Sequence, residues 1–254
     1  MRNEKTTPHQ KIIPKSEFGI PQVEHTTVLL HEAVDLLGPK SGGGYVDGTL
    51  GGGGHAEALL ERTEPDGRVI GLDQDEGALA RAAERLARFG RRITIRQENF
   101  RNVAEALAAV GIETIDGALL DLGLSWFHLR TPERGFSFQA DGPLDMRMDR
   151  RAGSTAADLV NTIPRQELTR VLREYGEEQK AALIAKAIEK ARIRGPITGT
   201  MQLAQLVSSV FPPYPPRRIH PATLTFQALR IAVNDELGAL REGVDSLIRL
   251  LKPG

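Results

Sequence analysis

The chain has 254 residues, 40% of them hydrophobic and 26% charged, which is enough for a buried core and excludes wholesale disorder. It has no cysteine, which excludes a disulfide scaffold, zinc-thiolate and iron–sulfur sites and a cysteine nucleophile. No apolar run approaches the roughly 18 residues of a membrane span, so no membrane association is expected and a cytoplasmic protein is the simplest reading. The formal net charge is zero, which taken alone argues against a nucleic-acid partner. The sum hides an asymmetry, however. Residues 25–124 carry six more acids than bases, and residues 125–220 carry five more bases than acids. Such a split suggests a cofactor half and a polyanion-facing half.

Residues 1–24 are polar and contain prolines, and read as a mobile leader. His25 to Leu37 has a helical pattern stopped by Gly38-Pro39. A short strand, Tyr45-Val46-Asp47, runs into a glycine loop, Gly48 to Gly54, and then a helix to about Arg62. Arg68 to Asp73 is a second strand, and Glu76 to Phe89 a helix with Leu79, Ala83 and Leu86 at helical spacing. Ile93-Thr94-Ile95 is a third strand, and Val103 to Val110 another helix. Ile115 to Asp121 is a fourth, an apolar run suited to a sheet covered on both faces. This alternation predicts a parallel, doubly wound α/β sheet. The rhythm breaks at 125–160, a long loop rich in Gly, Arg, Asp and aromatics. Pro164 to Tyr175, Glu177 to Arg194 and Thr200 to Val210 read as helices, Phe211 to Arg218 as a proline-rich loop, and Thr223 to Leu251 as one long helix.

The glycine loop is the strongest chemical feature. Glycines let a ligand approach the backbone, and a helix N-terminus offers free N–H groups. Asp73 ends the next strand, where a carboxylate can hold ribose hydroxyls. Asp47 directly precedes the glycines. It would sit poorly beside a pyrophosphate but well beside the cationic end of S-adenosylmethionine, which favours that cofactor over NAD. Phe100 is placed to lie against adenine, and Asp121 to receive polar groups, because ligands of open α/β sheets sit beyond the strands' carboxyl ends.

In the long loop, aromatics alternate with arginines. Arg134, Phe136, Phe138 and Arg147 suit base stacking and phosphate contact, with a local core and salt bridges to Asp145 or Asp149 as the alternatives. Arg217 and Arg218 precede His220, which either orients a substrate or shapes the start of the last helix. Phe211-Pro212-Pro213-Tyr214 is similar to the Pro-Pro-aromatic signature of amino-methylating enzymes, but it does not follow the fourth strand and reads as a loop.

Several long blocks carry a resemblance. These are HTTVLLHEAVDLL at 25–37, YVDGTLGGGGH at 45–55, GLDQDEGAL at 71–79 and DGALLDLGLS at 116–125. TPERGFSFQADGPLDMRMD at 131–149, LREYGEE at 172–178 and IHPATLTFQALRIAVNDELGAL at 219–240 complete the set. On these the sequence resembles the MraW/RsmH family of methyltransferases, which modify the N4 amine of a cytosine in 16S ribosomal RNA of the small ribosomal subunit. The resemblance implies a Rossmann-like domain, at 25–132 and 219–254, interrupted by a helical substrate-recognition insertion at 133–218. It implies S-adenosylmethionine held at Gly53, Gly54, His55, Asp73, Phe100 and Asp121. His128 stands where the family has a Gln in a Ser-Ser-Pro-Gln-Leu-type loop, here Ser125-Trp126-Phe127-His128-Leu129; an imidazole replaces one amide hydrogen bond, not a pair.

The family continues beyond the Lys-Pro-Gly turn into more sheet. The resemblance therefore implies a truncated member with strand 115–121 at an exposed edge, an aggregation hazard. The expected mechanism needs no metal, because the sulfonium is already activated. An acceptor for the cytosine amine aligns its attack, with Asp121 and Asp145 as candidates and Asn234 third. Two other readings stay open: an inactive RNA-binding remnant and an NAD(P)-dependent oxidoreductase.

Overall fold

A computed structural model describes residues 28–151, 153–212 and 219–253. The leader 1–24, Tyr214, Arg217 and Arg218 lie outside them. The expected sheet is present: β1 (Gly44–Asp47), β2 (Arg68–Asp73), β3 (Ile93–Gln97) and β4 (Gly117–Leu119), all parallel, in the order β3-β2-β1-β4. Asp47 is level with Gly71 and Leu119, and Asp73 with Gln97, so the carboxyl ends of the strands share one edge.

Successive strand residues face opposite sides. Tyr45 and Val69 join a core with α1 (Leu30–Leu37), α2 (Gly54–Arg62) and α3 (Glu76–Leu86), through Val34, Leu59, Leu60 and Leu86. Val46, Ile70 and Leu72 join a second core with α4 (Val103–Ala108), through Phe100, Val103 and Leu107. Both faces are covered, which is why the strands read as apolar runs.

A third core lies outside the sheet. Phe136, Leu144 and Met146 of the long loop pack with α6 (Ala156–Thr162), α7 (Arg165–Glu174), α8 (Ala181–Arg192) and α9 (Thr200–Ser208). A short α5 (Trp126–Arg130) precedes them. The expected local core beneath the loop thus prevails over base stacking for Phe136, with Met146 beside it. α6 was not anticipated within the loop; a Thr155–Asp158 capping box starts it.

The expected single helix over 223–251 is two, α10 (Thr223–Asn234) and α11 (Glu236–Leu250). Asp235 breaks it in the left-handed conformation, φ 46° and ψ 46°. The break serves two different cores. Phe226, Ala228 and Leu229 of α10 pack with α6–α9, whereas Ala239 and Leu247 of α11 pack on the sheet. The changeover therefore falls at Asp235, sixteen residues beyond the expected start of the second methyltransferase segment at 219.

At the β4 edge, Ile115 donates to Leu250 O at 2.9 Å and accepts from Lys252 N at 2.9 Å, a parallel bridge. Among the described residues, Gly117–Leu119 pair with β1 alone. No helix among the described residues is long and apolar enough to cross a membrane.

Candidate active site

The glycine loop is stapled between two strands. Gly48 N donates to Leu119 O and Leu50 N to Leu72 O, each at 2.9 Å. Gly48 has no room for a side chain, since a Cβ would lie 2.5 Å from Leu120 Cδ2. Gly53 takes φ 82° at the start of α2, a conformation that favours glycine. This turn sets Asp47, Gly53, Gly54 and His55 around one helix N-terminus.

Asp47 is 1% exposed. Its Oδ1 accepts from Thr49 N at 3.2 Å; its Oδ2 is buried with no well-formed hydrogen bond among the described residues, although the Ala56 amide of α2 is close enough to favour the carboxylate. Burial pushes its pKa up to about 7; Thr49 offsets part of this, and the carboxylates of Asp73 and Asp121 add to it. His55 is also buried, with Nε2 unpartnered. Burial lowers its pKa, against the pull of Asp121, so the imidazole is neutral near pH 7. Two buried polar atoms with unused hydrogen-bonding capacity at a helix N-terminus fit an amino-acid zwitterion. The carboxylate suits the ammonium, and the free backbone N–H groups suit the carboxyl.

The cost of holding Asp47 dry has a measurable consequence. In the unfolded chain it ionises near 3.8, in the fold near 7, so its stability penalty grows as pH rises between those values and is full above 7. Asp47→Asn, which cannot ionise, is expected to raise stability by a few kcal/mol at pH 8, at about 1.4 kcal/mol per pKa unit. The gain is expected to vanish near pH 4, and cofactor affinity to fall. Urea unfolding at the two pH values checks this; equal stabilisation at both would contradict it.

Asp73 is held as expected at the end of β2. Its Oδ2 accepts from Gly51 N at 2.8 Å and its Oδ1 from Asp75 N at 2.9 Å. Burial raises its pKa, offset by those two N–H donors. Each oxygen keeps a lone pair for a ribose hydroxyl.

Asp75, which the sequence reading did not single out, is the hub of the site. Its Oδ1 accepts from Ala78 N at 2.7 Å and caps α3. Its Oδ2 contacts His128 Nε2 at 3.1 Å and Arg134 Nη1. Burial opposes its ionisation, but these hydrogen bonds prevail and hold the carboxyl below the usual carboxylate range. Arg134 Nη2 donates to Arg147 O at 2.9 Å and Met148 O at 3.0 Å. Met148 N donates to Asn234 Oδ1 at 2.7 Å, and Asn234 Nδ2 donates to Met146 O and Arg230 O. A continuous polar strap thus joins the cofactor-side end of β2 to α10.

The strap redefines several expected roles. Asn234 commits its amide to three backbone groups, Met148 N, Met146 O and Arg230 O, which fix it as a tie between α10 and the loop. Asn234→Ala is expected to destabilise by roughly 2–4 kcal/mol, because buried backbone groups lose their partners. A loss below about 0.5 kcal/mol in urea unfolding would show that other contacts hold the loop. Arg134, expected to meet phosphate, is 14% exposed and turned inward onto Asp75. Phe136 is buried with its ring 4.8 Å from His128. Asp145 is clamped by Arg147, at 2.7 and 3.0 Å, with Arg150 at 3.7 Å. Burial opposes its ionisation, but the Arg147 contacts outweigh it and lower its pKa. Asp145 and Arg147 therefore satisfy each other, and neither is offered to a ligand.

Phe100 also departs from its expected place against adenine. Its ring packs on Gly243 of α11, where a Cβ would lie 2.5 Å from Phe100 Cδ2, and belongs to the sheet core. Phe138 is half-buried between His220 and Phe226, with centroids at 4.5 and 4.8 Å. His220 is exposed, and its Nδ1 accepts from Ala222 N at 3.1 Å, which fits the start of α10. Asp121 remains. Its backbone N–H donates to Thr49 Oγ1 at 2.6 Å, and its carboxylate is exposed with no hydrogen-bond partner among the described residues. The structure thus brings together Asp47, Gly53, Gly54, His55, Asp73, Asp121 and, through Asp75, His128.

The model of the MraW methylase family matches residues 22–254. The chain belongs to the MraW methylase family. It is 53% identical over 232 residues to the ribosomal RNA small subunit methyltransferase H of Syntrophotalea carbinolica, covering 91% of the chain and 74% of that protein. Identity to the protein of the same name is 55% for Geotalea daltonii, over 91% of the chain and 74% of that protein, and 52% for Carboxydothermus hydrogenoformans, over 92% and 74%. The chain thus spans about three quarters of the length of these relatives. An MraW methylase takes its methyl group from S-adenosylmethionine, so the nicotinamide alternative falls. The doubly wound sheet read from the sequence is the MraW methylase's Rossmann-like fold.

Proposed function

We propose that the chain methylates the N4 amine of a cytosine in 16S ribosomal RNA of the small subunit. The observation that carries the site is the buried, unpartnered Asp47 Oδ2 facing the glycine loop, with the Asp73 carboxylate at the neighbouring strand end. The names of the relatives support the RNA class, and the family resemblance of the sequence supports cytosine N4.

Bound S-adenosylmethionine supplies an electrophilic methyl group on a sulfonium. Asp47 and the backbone N–H groups at the start of α2 bind its amino-acid end. Asp73 accepts from the ribose, and the Gly51 hydrogen bond fixes that carboxylate's orientation. His128, with Nε2 on Asp75, keeps Nδ1 buried and unpartnered beside the site, ready to accept one hydrogen bond. The nucleophile needs more help. The lone pair of an aromatic amine is delocalised into its ring, and a duplex shields the amine, so the base must be unstacked. Asp121, exposed at the end of the β4 segment, accepts a hydrogen bond from the amine. There it would concentrate the lone pair, align attack and take up the proton that the amine loses as its new C–N bond forms and the methyl–sulfur bond breaks, a neutral thioether being the leaving group. Transfer of labelled methyl to 16S ribosomal RNA, followed by nucleoside analysis, tests the reading.

A further inference from the structure

The loop between Asp121 and α6 holds a feature that neither the cofactor site nor the strap uses. α5 is short but firmly fixed. Ser125 caps its start, Thr131 Oγ1 donates to Phe127 O at 2.8 Å at its end, and His128 is tied to Asp75. Phe127 lies under Arg81 of α3, 4.0 Å from guanidinium carbon to ring centroid. These contacts tie α5 to α3 and to Asp75, while Trp126 and Phe127, each 37% exposed, keep part of their rings open to solvent. Trp126 and Arg130 are four residues apart and hence neighbours on a helix. The Arg130 guanidinium covers the indole at 4.1 Å, and Trp126 meets Phe127 edge-on at 5.9 Å.

Trp126 is the only tryptophan in the chain and is 37% exposed, with Leu122 and Leu129 exposed around it. Arg130 is exposed and has no carboxylate partner among the described residues, unlike Arg134 and Arg147 nearby. The same loop begins at Asp121. A part-exposed ring capped on one face by an uncompensated guanidinium, on the loop that leads away from Asp121, matches how proteins hold unpaired bases. The π-face stacks on a base and the cation meets the adjoining phosphate. An apolar protein partner would not require the free cation.

We propose that Trp126 and Arg130 form a stacking platform for an unpaired nucleobase of the RNA substrate, next to the methyl-transfer site. The inference rests on the RNA reading above and adds the residues that hold the strand. The site takes a single-stranded base with its phosphate, at a position adjoining the base that is modified.

Because Trp126 is the sole tryptophan, its fluorescence reports the contact directly. The full chain is titrated with a fluorescein-labelled single-stranded RNA oligonucleotide, following anisotropy for binding and, with unlabelled RNA, indole emission for stacking. Saturable quenching that tracks binding and weakens with added salt is expected. Trp126→Ala and Arg130→Ala are each expected to weaken RNA binding roughly tenfold, and Trp126→Phe only a few-fold. S-adenosylmethionine affinity, measured by calorimetry, is expected to be unchanged in all three, which also shows that they are folded. RNA bound by the parent chain without indole quenching, and equally by Trp126→Ala and Arg130→Ala, would overturn the platform while leaving the RNA reading intact. No RNA binding by the parent chain would overturn both.

Discussion

Asp73→Ala is expected to abolish methyl transfer through loss of cofactor binding. The carboxylate makes hydrogen bonds to Gly51 N and Asp75 N in the protein and, in the proposed complex, to the ribose. Hydrogen bonds to a charged group are worth roughly 1.5–3 kcal/mol each, so removing two to the ribose lowers affinity on the order of a hundredfold or more. The variant also leaves the Gly51 and Asp75 amides without an acceptor, so some stability is lost as well. Calorimetric titration below the melting temperature separates the two effects: a folded variant with negligible cofactor binding is expected. Unchanged affinity in a folded variant would place the ribose elsewhere.

Asp121→Asn is expected to act on chemistry rather than on binding or stability. Positioned proton acceptors contribute typically about 10²- to 10⁴-fold, and a fall of that order in kcat is expected. Because the carboxylate is exposed and has no hydrogen-bond partner among the described residues, stability should change by less than about 0.5 kcal/mol. Cofactor affinity should stay within a few-fold. Single-turnover transfer with saturating cofactor and RNA reads the chemical step; a rate close to that of the parent would remove Asp121 from the role of acceptor. Asp145 and Asn234 are already engaged, the first by arginines and the second by backbone groups, whereas Asp121 is not, which is why Asp121 is the proposed acceptor.

The contrast between these carboxylates marks what the sequence can and cannot convey. Period and turn chemistry were sufficient for the sheet, because strands buried on both faces read as apolar runs and the first helix stops at a glycine in the left-handed conformation, Gly38. The cluster at the strand ends was legible too, since Asp47, the glycines and Asp73 are placed by strand ends alone. Partner choice in the long loop was not. Arginines interleaved with aromatics look the same whether they await a phosphate or are already paired, and only the fold shows Arg134 on Asp75 and Arg147 on Asp145. Phe100 misled for a similar reason: an aromatic at a strand end can face a ligand or a helix, and Gly243 makes room for it on α11. The break at Asp235 escaped notice because the apolar positions continue across it and only their direction changes. Asp75 did leave a signal, an acidic residue directly before Glu76 at a helix start, the usual place of an N-cap. Its second oxygen, which takes His128 and Arg134, was invisible without the fold.

The strap from Asp75 to Asn234 gives the two halves of the molecule a physical connection. The residue that caps α3 beside the cofactor also fixes the arginine that holds the substrate-side loop. The proposed ribose contacts at Asp73 and the seating of the helical insertion would therefore share one set of hydrogen bonds. The charge asymmetry follows a similar division, with the acidic excess in residues 25–124 and the basic excess in residues 125–220.

The central claim is tested most directly by incubating the full chain with methyl-labelled S-adenosylmethionine and small ribosomal subunits or 16S ribosomal RNA, then digesting the RNA and resolving its nucleosides. The expected product is labelled N4-methylcytidine at a single position, absent with Asp73→Ala. Label on another nucleoside, or at cytosine C5, would contradict the proposed attack by the amine. RNA left unlabelled by a chain that binds the cofactor would contradict the proposed function itself.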